Sequence, residues 1–229
     1  MVQKPEAVVF DMDGVLINSH PAHLAAWREF LLSVEVTPSE HDLDFILEGR
    51  TRSEILAKFL GHLSDEELQV FGRRKDEMFR RIETKIPPMP GALSLVNLLS
   101  DHKVKLAVAT SASEIRTFAT VERFGLGGRF DAIVTAADVA AGKPDPAVYQ
   151  LACQRLGVAP HSALAFDDAP AGVLAACSAG VRCIGIASNG IRERLLKAGA
   201  EAVVPDFVSA EFQPFASVLL GNRDAELAA

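Results

Sequence analysis

Cysteine is scarce in this chain, and the few present do not pair up. Cys153, Cys177 and Cys183 are odd in number and form no Cys-x-x-Cys spacing. They suit buried thiols in a reducing compartment better than a disulfide framework. An excess of positive charge is also missing: 23 Lys and Arg face 30 Asp and Glu, for a net charge of −7. That argues against nucleic acid or an anionic membrane as the main partner, but not against a phosphorylated substrate, which a local cationic site can hold. The start, Met1 to Glu6, carries no apolar signal region, and no run is long and apolar enough to span a bilayer. Repeats, low-complexity tracts and a sustained heptad seam are absent too, which leaves monomer and small homo-oligomer both open. A cytoplasmic protein is expected.

What is present is apolar content of 49% over 229 residues, enough for a substantial core plus a smaller domain. Short β-rich runs recur at 8–10, 104–110, 132–135, 163–166, 183–187 and 202–204. Helical patterns at 113–124, 146–156 and 170–179 lie between the later runs. Strands alternating with helices predict a parallel sheet covered on both faces, with its site beyond the carboxyl ends of the strands.

Residues 18–88 break that rhythm. Leu24, Trp27, Leu31 and Val34 mark a helical stripe, and Thr37–Glu40, Thr51–Glu54 and Ser64–Glu67 have the spacing of capping boxes. The expected architecture is therefore an α/β core of residues 1–17 and 89–229 with an all-helical cap, 18–88, inserted after the first strand. A cap placed there would act as a lid.

Four segments carry chemistry. Asp11-Met12-Asp13-Gly14 follows the first strand, and two carboxylates this close resist joint ionisation unless a cation or a shared proton intervenes. Thr110-Ser111-Ala112-Ser113-Glu114 ends the second strand and has the spacing of a cap, so either the next helix offers N–H groups as a phosphate seat or Ser111 only caps and Thr110 only packs. Gly142-Lys143-Pro144 holds a lysine in a turn, which is either a plain solvated loop lysine or a point charge that neutralises a phosphoryl group and restrains the nearby carboxylates. Asp167-Asp168-Ala169-Pro170 adds a second acidic pair for Mg²⁺, although Asp168 also stands where a helix N-cap would.

In this order, each at a strand's carboxyl end, the motifs resemble the haloacid dehalogenase superfamily of phosphotransferases. The subgroup they resemble holds small sugar phosphatases, glycerol-3-phosphatases and β-phosphoglucomutase. The resemblance covers essentially the whole chain and implies a doubly wound, Rossmann-like parallel sheet. It implies that Asp11 is a nucleophile that becomes an aspartyl-phosphate and that Asp13 is the general acid and base. Mg²⁺ would be held by Asp11, the Asp13 carbonyl and Asp168, with Asp167 further out, where relatives often have Glu. Thr110, Ser111 and Lys143 would hold the phosphoryl group.

In the cap, Glu48-Gly49-Arg50-Thr51-Arg52 corresponds to a substrate-choosing region of relatives, with Gly49 and Arg52 as candidate contacts. His23 and Trp27 match a His-x-x-x-Trp pattern, and Lys75 has the place of a cap lysine. The residue types alone allow a plainer reading, with Trp27 as core, Arg73–Lys75 as a solvated face and His23 as either a cap hydrogen-bonder or a surface residue.

β-Phosphoglucomutase has a lysine where Glu48 aligns, and a glutamate would repel a second phosphate. Arg50 and Arg52 push the other way. The reading is a Mg²⁺-dependent phosphatase acting on a small phosphorylated sugar or polyol. A mutase is the runner-up, and a phospho-accepting signalling module is the alternative from another class. A receiver module lacks the large insert and places its acceptor after a later strand.

Overall fold

The computed structural model describes residues 4–47, 52–187 and 190–220. The chain divides into two compact units, residues 1–17 with 88–229 and residues 18–87. Pro88, which the sequence assigned to the insert, belongs to the first unit, where it forms an antiparallel bridge with Ile17.

The first unit is built on six parallel strands: β1 (Ala7–Phe10), β2 (Lys105–Ala109), β3 (Ala132–Val134), β4 (Ala163–Asp167), β5 (Arg182–Ile186) and β6 (Ala202–Val204). Their spatial order is β3-β2-β1-β4-β5-β6. The chain winds outward from β1 in one direction and then from β4 in the other. Between β1 and β4 the winding reverses, the place where open α/β sheets bind ligands. The central strands β1 and β4 are buried at every residue because both faces are covered, so their sequences run apolar without alternating.

Chain order then gives the helices α1 (His20–Ser33), α2 (Glu40–Leu47), α3 (Arg52–Leu60), α4 (Asp65–Arg80), α5 (Ala92–Asp101), α6 (Glu114–Arg123), α7 (Ala147–Leu156), α8 (Pro170–Ser178), α9 (Arg192–Lys197) and α10 (Gln213–Leu220). On one side of the sheet, Val148, Tyr149, Ala152, Cys153 and Leu156 of α7 pack with Val173, Ala175 and Ala176 of α8 onto inward residues of β1, β2 and β4.

The second unit holds α1–α4 around a core of its own, in which Trp27, Phe30 and Leu31 meet Leu43, Ile46, Ile55 and Leu56. Ser64 and Glu67 cap α4 reciprocally, as the sequence anticipated. For α2 the pair is Ser39 and Asp42 instead of Thr37 and Glu40. The helix starts at Glu40, so only Ser39 stands at the N-cap with Asp42 three residues in. Likewise α6 starts at Glu114, and Ser113 rather than Ser111 is its cap. Among the described residues, no helix is long and apolar enough to cross a membrane.

Candidate active site

Strand register builds the centre of the site. Phe10 of β1 pairs with Phe166 of β4, so Asp11 and Asp167 come next side by side, and the Asp11 amide donates to the Phe166 carbonyl at 2.9 Å. After Asp11 the chain turns sharply, with the amides of Leu16 and Ile17 returning to the Met12 carbonyl. Gly14 makes the turn possible: its φ is +71°, and a Cβ there would collide with the Asp168 carboxylate. Gly172, in the first turn of α8, is required for a similar reason, since a Cβ would run into the Asp167 carboxylate.

Lys143 joins these carboxylates. Its Nζ lies 2.8 Å from Asp11 Oδ1 and 2.7 Å from Asp167 Oδ2. The turn carrying it includes a cis Lys143–Pro144 peptide bond. The Tyr149 hydroxyl, on α7, donates to the same Asp167 oxygen at 2.6 Å, and the Ala169 amide donates to Oδ1 at 3.0 Å. Asp168 is therefore not the N-cap its place in the sequence allowed; Ala169 occupies that position, with its own amide on Asp167. All of this is nearly dry: the side chains of Asp11 and Lys143 are each 9% exposed and that of Asp167 is 1% exposed.

Charge at that depth is costly. Burial raises the Asp11 pKa to about 8, with Lys143 opposing and Asp167 and Asp168 adding to the rise. Burial alone would lower Lys143, but Asp11 and Asp167 outweigh it and hold the ammonium above its usual range. Burial and then Asp167 also push the Tyr149 phenol up, so it stays a proton donor. One lysine thus contacts two carboxylates, and a third, that of Asp168, lies close to both. Oxygens of Asp11, Asp167 and Asp168 all lie within 4.8 Å of one another. A purely oxygen donor set with surplus negative charge fits a hard divalent ion such as Mg²⁺, which needs few protein ligands.

Asp13 is placed differently. Arg116 grips it through two contacts, Nη1 to Oδ2 at 2.5 Å and Nη2 to Oδ1 at 2.6 Å. Thr110 is buried one step past β2; its amide donates to the Val134 carbonyl, and its hydroxyl accepts from the Ala112 amide at 3.1 Å. Ser111 beside it is exposed.

The second unit sets out the cap candidates in its own frame. His23 Nδ1 lies 3.1 Å from Lys75 Nζ, and its ring stacks on Phe79 at 4.2 Å. Lys75 is not on a solvated face: it is buried, with Nζ over the Trp27 and Phe79 rings, while Arg73 and Arg74 are exposed. Helical spacing explains this, since Gly72, Lys75 and Phe79 share the inward side of α4. Trp27 is core. Arg52 is held by Asp76, with Nη2 2.7 Å from Oδ2. Gly49, with Glu48, Arg50 and Thr51, lies outside the described residues.

Sequence reasoning passed over two residues here. Tyr149 falls on the apolar stripe of α7 and reads as core. Arg116 left a signal: a cation in the first turn of a helix opposes the macrodipole and calls for a partner.

Residues 5–180 match the family model described as haloacid dehalogenase-like hydrolase. The chain is 34% identical over 203 residues to a phosphorylated carbohydrates phosphatase of Thermotoga maritima, covering 87% of this chain and 94% of that one. It is 30% identical over 190 residues to a beta-phosphoglucomutase of Bacillus subtilis, covering 79% and 83% of the two chains. Among solved structures, a family IA, variant 3 hydrolase from Entamoeba histolytica superimposes with a TM-score of 0.77 at 29% identity, over 90% of this chain and 96% of that one.

Proposed function

From the premise that the chain belongs to the haloacid dehalogenase-like hydrolase family and is a phosphoric monoester hydrolase, we propose that it dephosphorylates a small phosphorylated sugar or polyol through phospho-Asp11. The observation that carries this reading is the dry cluster at the β1–β4 reversal, where Lys143 bridges Asp11 and Asp167.

In the proposed reaction an Asp11 oxygen attacks phosphorus while the bond from phosphorus to the ester oxygen breaks. Asp13, protonated at that point, passes its proton to the leaving alcohol. Asp13 then takes a proton from water as the water oxygen attacks phosphorus. The Asp11–phosphorus bond breaks, inorganic phosphate leaves, and both carboxyl groups are restored. Lys143 supplies fixed positive charge beside the attacking oxygen, and Thr110 and Ser111 receive the phosphoryl oxygens at the edge of the sheet. Asp11, the Asp13 carbonyl, Asp167 and Asp168 would hold Mg²⁺, whose contribution is to offset repulsion between a dianionic ester and a carboxylate. His23, Gly49 and Arg52 are proposed to contact the sugar or polyol portion.

The three cysteines are free thiols, which supports a reducing, cytoplasmic setting. Phosphoryl transfer between hydroxyls of one sugar is the second reading, favoured by the similarity to a beta-phosphoglucomutase. A panel of small phosphate esters with Mg²⁺ tests both. Released inorganic phosphate, abolished by Asp11→Asn, is the expected result. An isomerised hexose phosphate without release would favour the mutase, and no turnover of any ester would overturn the proposal.

A further inference from the structure

We propose that Arg116 is a positioning residue for Asp13, aiming its carboxylate through a two-pronged grip from the first turn of α6. This rests on Asp13 acting as the acid and base of the proposed reaction. The pair spans 103 positions in sequence, and both side chains are largely covered, at 19% and 26% exposure. A planar guanidinium set against both oxygens fixes the plane of the carboxylate as well as its position, which a lysine cannot do.

Arg116 is itself firmly seated. Its amide donates to the hydroxyl of the Ser113 cap, its carbonyl accepts from the Thr120 hydroxyl, and the adjacent Thr117 is fully buried with its hydroxyl on the Ser113 carbonyl. Cationic charge at this end of a helix works against the helix itself. The fork on Asp13 supplies the reason for its being there. The same short segment runs from Thr110 and Ser111, so one helix start both receives phosphate and aims the proton donor. During transfer one of the two prongs must let go of the oxygen that exchanges the proton, and the other keeps the group aimed.

The test is a double-mutant cycle read with Mg²⁺ and an alkyl phosphate that the wild type turns over. Arg116→Met, which keeps the aliphatic stem, should lower kcat about 10-fold or more, because misplacing a reacting group is expensive. KM and inhibition by inorganic phosphate should stay near wild type. In an Asp13→Ala background the same substitution should change the residual rate by less than about twofold, since there is no carboxylate left to aim. Arg116→Lys retains charge without the fork and should still lose at least about threefold.

Three results would overturn the inference: a full additional loss on top of Asp13→Ala, a raised KM with weakened phosphate inhibition and unchanged kcat, or wild-type turnover in Arg116→Lys. Phosphate release that survives Asp11→Asn would instead break the proposed reaction. Release abolished by Asp11→Asn but indifferent to Arg116 breaks only this inference.

Discussion

Two charged groups, one in each unit, are held in opposite ways. In the α/β unit, Asp11, Lys143 and Asp167 are fixed by strand register and backbone hydrogen bonds in a nearly dry setting. In the helical unit, the Arg52–Asp76 pair sits with 49% and 38% of its side chains exposed. Water screens the second pair and makes it nearly free to rearrange, whereas the first is held at a desolvation cost that only tight pairing offsets. The first group, paired charge buried at a cost, is where the proposed chemistry lies. Charge left in water is suited to adjustable contacts with a ligand.

That contrast breaks most directly at Lys143. Lys143→Met leaves Asp11 and Asp167 facing each other, so turnover should fall by about a hundredfold or more, and folding should weaken by about 3–5 kcal/mol in the metal-free protein. Denaturant unfolding and phosphate release measure the two effects, and a stable, active variant would erase the difference between the units.

Proton linkage sharpens it next. Metal-free Asp11 has its pKa raised from 3.8 to about 8 by burial, so the folded protein holds this proton more tightly than the unfolded chain. The stability this contributes is complete below about pH 4 and drains away as pH rises through about 8. Tm without metal should drop over that window by at least about 2–4 °C, the shift given by about 1 kcal/mol in a chain of this size. Mg²⁺ favours the charged carboxylate, so the Tm gain on adding it should grow with pH. A pH-independent gain would count against Asp11 as a ligand.

Smaller effects follow away from the centre. Tyr149→Phe removes one donor from buried Asp167 and should cost about 1–3 kcal/mol of stability, with Lys143 and the Ala169 amide still holding that carboxylate. Arg52→Met, in the solvated pair, should shift Tm by less than about 2 °C. On the proposed substrate contact its effect belongs in KM, and a large loss of stability would show that the exposed pair is not the loose one.

The same contrast decides what could be read from the sequence. Strand ends were legible because a short apolar run stops abruptly at a polar or charged residue, and parallel register then gathers those ends at one edge. Asp11, Thr110 and Asp167 follow that rule. Partnerships made across the fold were not: nothing local links Arg116 to Asp13, and Tyr149 looks like any other apolar position of its helix. Lys75 was misread because three consecutive basic residues suggest a wet face, while the 3.6-residue repeat turns only the third of them inward. The capping pairs of α2 and α6 were misassigned because several hydroxyls precede each helix and only the true starting residue selects among them.

The most direct measurement is to quench the enzyme rapidly during turnover of an accepted phosphate ester with Mg²⁺ and map the phosphorylated peptide by mass spectrometry. The phosphoryl group should be found on Asp11 and be absent from the Asp11→Asn variant. A phosphoryl group on another residue, or steady release with no covalent species under conditions where dephosphorylation limits turnover, would contradict the account.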